Sequence, residues 1–85
     1  MNWNDEVGKR LAVADLKPES VVVLRRADRQ SAITVWVERV WPECVMFLAG
    51  ATTPKLHLLA ERRRDNVLVD DTGTELEVYE YKGEI

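Results

Sequence analysis

Side-chain chemistry in this sequence has few starting points, because there is one His, His57, and one Cys, Cys44. His57 sits in the stretch 55–59 on the face opposite Leu56 and Leu58. A half-exposed strand histidine is the simple reading there, and a general base the sharper one. Cys44 opens an apolar run behind Glu43, and a reactive thiolate would need a neighbouring cation, for which Arg39 is nearest in sequence. One His and one Cys cannot supply the four nitrogen or thiolate ligands of a structural zinc. Asp70, Asp71 and Glu75 lack the regular spacing of a calcium loop and read as a turn. The four glycines are ungrouped, so no phosphate-cradling loop is present. No metal or organic cofactor is expected, and an enzyme is the least supported class.

The arginines offer more. Arg25, Arg26 and Arg29 flank one turn, and Arg62, Arg63 and Arg64 occupy another. If the fold joins these turns, their guanidinium groups form a patch able to grip phosphates. Pairing with Glu61, Asp65 and the acidic final segment is the competing outcome. Residues 1–64 carry 11 basic and 8 acidic side chains, whereas residues 65–85 carry 1 and 7, so the chain is electrically polarised. Its total of −3 argues against a generic polybasic nucleic-acid or membrane binder. Aromatic rings supply a second kind of contact. Trp36 and Trp41 are either core packing or stacking platforms for bases, and Tyr79 and Tyr81 share a strand face with Glu77.

The elements that must position these groups are strands. Val, Ile and Thr together number 19 against 9 Leu, and branching at Cβ suits a pleated sheet better than a helix. Apolar stretches alternate with turn signals, giving strands at residues 20–26, 33–41, 44–49, 56–60, 67–69 and 76–81. In the first of these, Val21, Val23 and Arg25 face one way and Val22, Leu24 and Arg26 the other. Pro42 breaks the second strand from the third. Asp70 to Gly73 is a turn, because Asp accepts local backbone hydrogen bonds and Gly accepts positive φ. Residues 4–16 fit either a helix through Val7, Leu11 and Ala14 or a strand, with the helix favoured.

About five or six short antiparallel strands in 85 residues resolve their exposed edges by curling into a closed barrel, so an all-β, single-domain fold with a core over residues 20–81 and an N-terminal segment over 1–17 is expected. The stretch from Asp15 to Phe47, read as DLKPESVVVLRR, AITV and ECVMF, resembles the opening strands of small SH3-like barrels, with Glu19 where that pattern has Gly. That resemblance implies an architecture and no activity. The N-terminus lacks a basic flank and apolar stretch, the apolar runs are too short to span a bilayer, and the lone thiol can close no internal disulfide, so a cytoplasmic protein off the membrane is expected.

The functional expectation is a non-enzymatic protein-interaction or self-assembly module, oligomeric, with a protein partner or a second copy bound through the tyrosine face and the hairpin around Arg25 to Arg29. The alternative is a small barrel that binds single-stranded RNA through its arginines and exposed rings.

Overall fold

The computed structural model of the chain describes residues 7–28, 32–49 and 56–83. Within them the fold is all-β: β1 (Val7–Arg10), a 3-10 turn (Val13–Asp15), β2 (Val21–Arg26), β3 (Ala32–Val40), β4 (Cys44–Ala49), β5 (Leu56–Arg62), β6 (Leu68–Val69) and β7 (Glu75–Tyr81). Six antiparallel strands, β2 to β7, close into a barrel consistent with the SH3-like class, and β1 is added outside the closure. Closure falls on β7. One side of it pairs with β2 from Leu76 to Glu80, while the other is divided between β6 at Glu75 and Leu76 and β1 at Tyr79 and Tyr81.

The barrel is steeply sheared. Partners followed from β5 through β4, β3 and β2 link His57, Leu48, Trp36 and Val21, whereas through β6, β7 and β2 they link Arg62, Leu68, Leu76 and Arg26. Strands that climb in this way let a six-stranded sheet close around side chains with no central channel. Alternation then fills the interior: Val22 and Leu24, Val35 and Val37, Val45 and Phe47, Ala60, Leu68, and Leu76 and Val78 are buried together. The β2 faces follow the sequence alternation, with Val22 and Leu24 inward.

The N-terminal segment departs from the helical expectation. Residues 7–10 form a strand, Val13 and Leu16 of the following turn plug the core, and Leu11 donates its N–H to Val78 O at 2.8 Å. The part of that expectation on residues 4–6 lies outside the described residues. The close pass of β1 over β7 needs Gly8, since a Cβ there would lie 2.5 Å from Glu80 Oε1 and 2.7 Å from its Cβ. A strand can use that small residue, whereas a helix is weakened by it.

β3 is not a regular ladder. Val37 pairs with Phe47 but Arg39 pairs with Met46, so Glu38 is an extra residue at a bulge. The bulge returns Val40, paired with Val45, to the inward side, where it packs on the core.

Lys17, Pro18, Glu19 and Ser20 make the turn into β2, closed by Ser20 N–H donating to Lys17 O at 3.3 Å, with Glu19 at φ 69°. Pro before a positive-φ residue is the type II pattern, which favours Gly in that place. Glu19→Gly is therefore expected to raise stability by about 1 kcal/mol, because a side chain in the left-handed region costs roughly that much. Thermal melts of the two chains check this, and a lower melting temperature for the variant would count against the turn assignment.

Candidate interaction surface

The inward residues of the barrel leave an outer wall whose side chains follow from the register. On β3 these are Thr34, Trp36 and the bulge pair Glu38 and Arg39; on β4, Cys44, Met46 and Leu48; on β5, His57, Leu59 and Glu61. Trp36 stands beside Leu48 and Leu48 beside His57, while Arg39, Met46 and Leu59 make the next row. Trp36 is 41% exposed and Leu59 52%, with half-buried Met46 and Leu48 between them. Ile33, also exposed, belongs instead to the barrel rim.

One polar pair crosses this wall. His57 Nε2 lies 3.4 Å from Glu38 Oε2, although the two strands are separated by β4. The pair therefore spans β4 between the register positions of Met46 and Leu48. Glu38 Oε2 is shielded from solvent and accepts no well-formed hydrogen bond, and His57 is the ionisable side chain facing it among the described residues.

The other residues singled out by the sequence are distributed around the molecule. Trp41 is half-buried at the β3–β4 turn and donates its backbone N–H to Cys44 O at 2.8 Å. Tyr79 and Tyr81 are half-buried on β7, beside β1. The Tyr79 hydroxyl donates to Glu77 Oε1 at 2.6 Å, and Arg25 Nη2 lies 3.0 Å from the same oxygen. Arg26 Nη2 donates to Thr74 Oγ1 at 3.0 Å and to Asp28 Oδ2 at 3.3 Å, while its Nε is 3.5 Å from Asp70 Oδ2.

The second arginine group is engaged in a similar way. Arg62 Nη2 donates to Asn66 Oδ1 at 2.9 Å, and Arg63 Nη2 pairs with Asp65 at 2.8 Å and Glu75 at 3.1 Å. Arg64 is exposed, and Arg29 lies outside the described residues. The two described groups do not merge. The β6–β7 hairpin stands between them, and its acids neutralise both, Asp70 toward Arg26 and Glu75 toward Arg63.

A cleft of about 500 Å³ opens at the rim where the β6–β7 turn and the ends of β2 and β3 meet. Leu24, Phe47, Leu58 and Leu76 line it, with Arg26, Asp70, Asp71 and His57 also at its border. His57 is thus near a cleft, but its Nε2 is turned to Glu38 and no Ser, Thr or Cys lines the space among the described residues. Cys44 does not border it. No group of three or more His, Cys, Asp or Glu is placed to hold a metal ion among the described residues, and no helix among them is long and apolar enough to cross a membrane.

The titrating groups on the tyrosine side are tied to stability. The Tyr79 hydroxyl, with Arg25 and Arg10, holds the Glu77 carboxyl below the usual carboxylate range, against partial burial that pushes it up. Hydrogen bonds from Arg63 and from Thr72 lower Asp65 and Asp70 in the same direction. A folded carboxyl lowered in this way contributes fully above its unfolded value of about 4.3 for Glu, and the contribution is lost as pH falls through the lower folded value. Glu77→Gln is expected to cost about 1 kcal/mol at neutral pH and to flatten the acid limb of melting temperature below about pH 4. An acid limb identical to that of the parent would contradict the role given to Glu77.

Neither a protein-family model, nor a curated protein, nor a solved structure matches the chain, so the fold and surface geometry carry the functional argument by themselves.

Proposed function

We propose that the chain is a non-enzymatic protein-interaction module whose contact surface is the outer wall of β3, β4 and β5. The observation that carries this reading is the exposure of Trp36 and Leu59 on one wall, with Met46 and Leu48 between them. Leaving a large apolar side chain in water forgoes roughly 1.5–3 kcal/mol relative to burying it, and a contiguous apolar patch with a polar border is the usual form of a protein contact. Here Arg39 and Glu61 supply polar flanks, and the Glu38–His57 pair crosses between Trp36 with Leu48 and Met46 with Leu59.

This moves the contact away from β7, where Tyr79 already serves Glu77. It also ranks protein above nucleic acid, since Arg25, Arg26 and Arg63 lie against acids of the same chain. A cytoplasmic location belongs to the proposal, supported by the single thiol.

Size-exclusion chromatography with light scattering, recorded at 260 and 280 nm at low and moderate salt, separates the two chemistries. The proposal expects a chain free of nucleic acid at both salt concentrations. Salt-labile nucleic acid in the peak, lost when Arg62, Arg63 and Arg64 are replaced, would overturn it.

A further inference from the structure

The same outer wall is self-complementary, and we infer that its partner is a second copy of this chain, docked about a two-fold axis running along β4. The inference rests on the reading of that wall as the contact surface, and adds to it the partner and the orientation.

The argument comes from the placement of charge. The apolar middle of the wall is flanked by Arg39 on β3 and by Glu61 on β5, both exposed and neither in an ion pair among the described residues. Glu38 and His57, also on the wall, lie 3.4 Å from each other. A two-fold axis along β4 sets β3 of one copy over β5 of the other. Arg39 then falls over Leu59 of the second copy, one outward row (about 7 Å) from its Glu61 and within reach of two long side chains, the same approach recurs on the opposite flank, and Trp36 comes over the β5 row of the second copy. A two-fold contact demands that a surface fit itself in this manner. The alternative axis, across the strands, would set β3 over β3, and Arg39 over Arg39 when it passes through their row, which like-charge repulsion disfavours.

The size of the wall sets the strength. Three strands about 4.8 Å apart, with three outward residues at about 6.8 Å spacing, give a footprint of roughly 14 by 20 Å. Two such faces amount to about 600 Å² of flat area, below the usual range for a specific contact before side-chain relief is added, which implies a weak and reversible dimer.

Sedimentation velocity of the full chain across concentrations tests this, with circular dichroism to confirm that each variant keeps its fold. The parent is expected to dimerise with a dissociation constant of roughly 10–100 μM. Arg39→Glu and Glu61→Arg should each weaken the dimer by about tenfold or more, and the double variant R39E/E61R should recover most of the loss. Lys17→Glu, which makes the same change in net charge as Arg39→Glu away from the wall, should leave the dimer intact.

A dimer indifferent to both reversals, or weakened by them without recovery in the double variant, would overturn the two-fold arrangement. A chain that stays monomeric to about 1 mM would overturn self-pairing. In that case a photo-reactive residue at position 59 distinguishes the two failures. An adduct with a different protein leaves the contact-surface reading standing, and no adduct at all removes both.

Discussion

Phe47→Ala is expected to lower stability by about 3–5 kcal/mol, a large part of the roughly 5–15 kcal/mol that holds a small domain together. Phe47 is fully buried, and it is among the largest of the fully buried side chains. The walls around it are strands in a closed barrel, which cannot collapse into the space left behind as a loop could. Leu48→Ala, one residue along on the outer wall, should cost far less. Urea melts of both variants against the parent check the difference. Equal costs would mean that the inward and outward faces of β4 are not as described.

The second large effect concerns a single deletion in β3. Removing Glu38 should leave the barrel folded, because Arg39 already pairs with Met46 and Val40 with Val45, and the ladder closes regularly without the extra residue. Removing Trp36 instead would bring Thr34 into the register position of the fully buried Val35, and one step of slip exchanges the two faces of a strand. The expectation is a cooperative melt for the first deletion and loss of the folded state for the second. Far-UV circular dichroism with thermal melting reports both. A Glu38 deletion that fails to fold would show that the bulge twist is itself needed for closure.

The strands were legible because β-branched residues and turn signals mark them locally. Alternation separated Val22 and Leu24 from Val21 and Val23, and the barrel placed Val22 and Leu24 in the core with Val23 also buried on the other side. The bulge also had a local signal. Val35 and Val37 are two apart, but Val40 follows three later, which no regular strand can place on one face. The first segment stays open between helix and strand in the sequence because its apolar spacing fits both periods. Only the tertiary contact of β1 with β7, made possible at Gly8, decides between them.

The proposed contact surface was legible only in part. Trp36 stood out as a large ring in a strand, but Leu59 is hidden in the apolar run Leu58, Leu59, Ala60, where composition gives no sign that the middle residue faces outward. Once Ala60 is known to be buried, alternation assigns Leu59 to the outside. The tyrosines were placed on one face with Glu77, as found, yet the hydrogen bond from Tyr79 to Glu77 depends on rotamers that sequence does not carry. Whether the arginine turns meet depended on where the β6–β7 hairpin falls, which is a matter of barrel closure.

The central claim is that the outer wall of β3, β4 and β5 is where this chain meets another protein molecule. Its most direct test is covalent footprinting of the full chain in living cells against the same chain, purified and dilute, read residue by residue. The account predicts that labelling of Trp36, Met46 and Leu59 falls several-fold in cells while Tyr79 and Tyr81 are labelled equally in both. Unchanged labelling at Trp36 and Leu59, or protection confined to the tyrosines of β7, would contradict it.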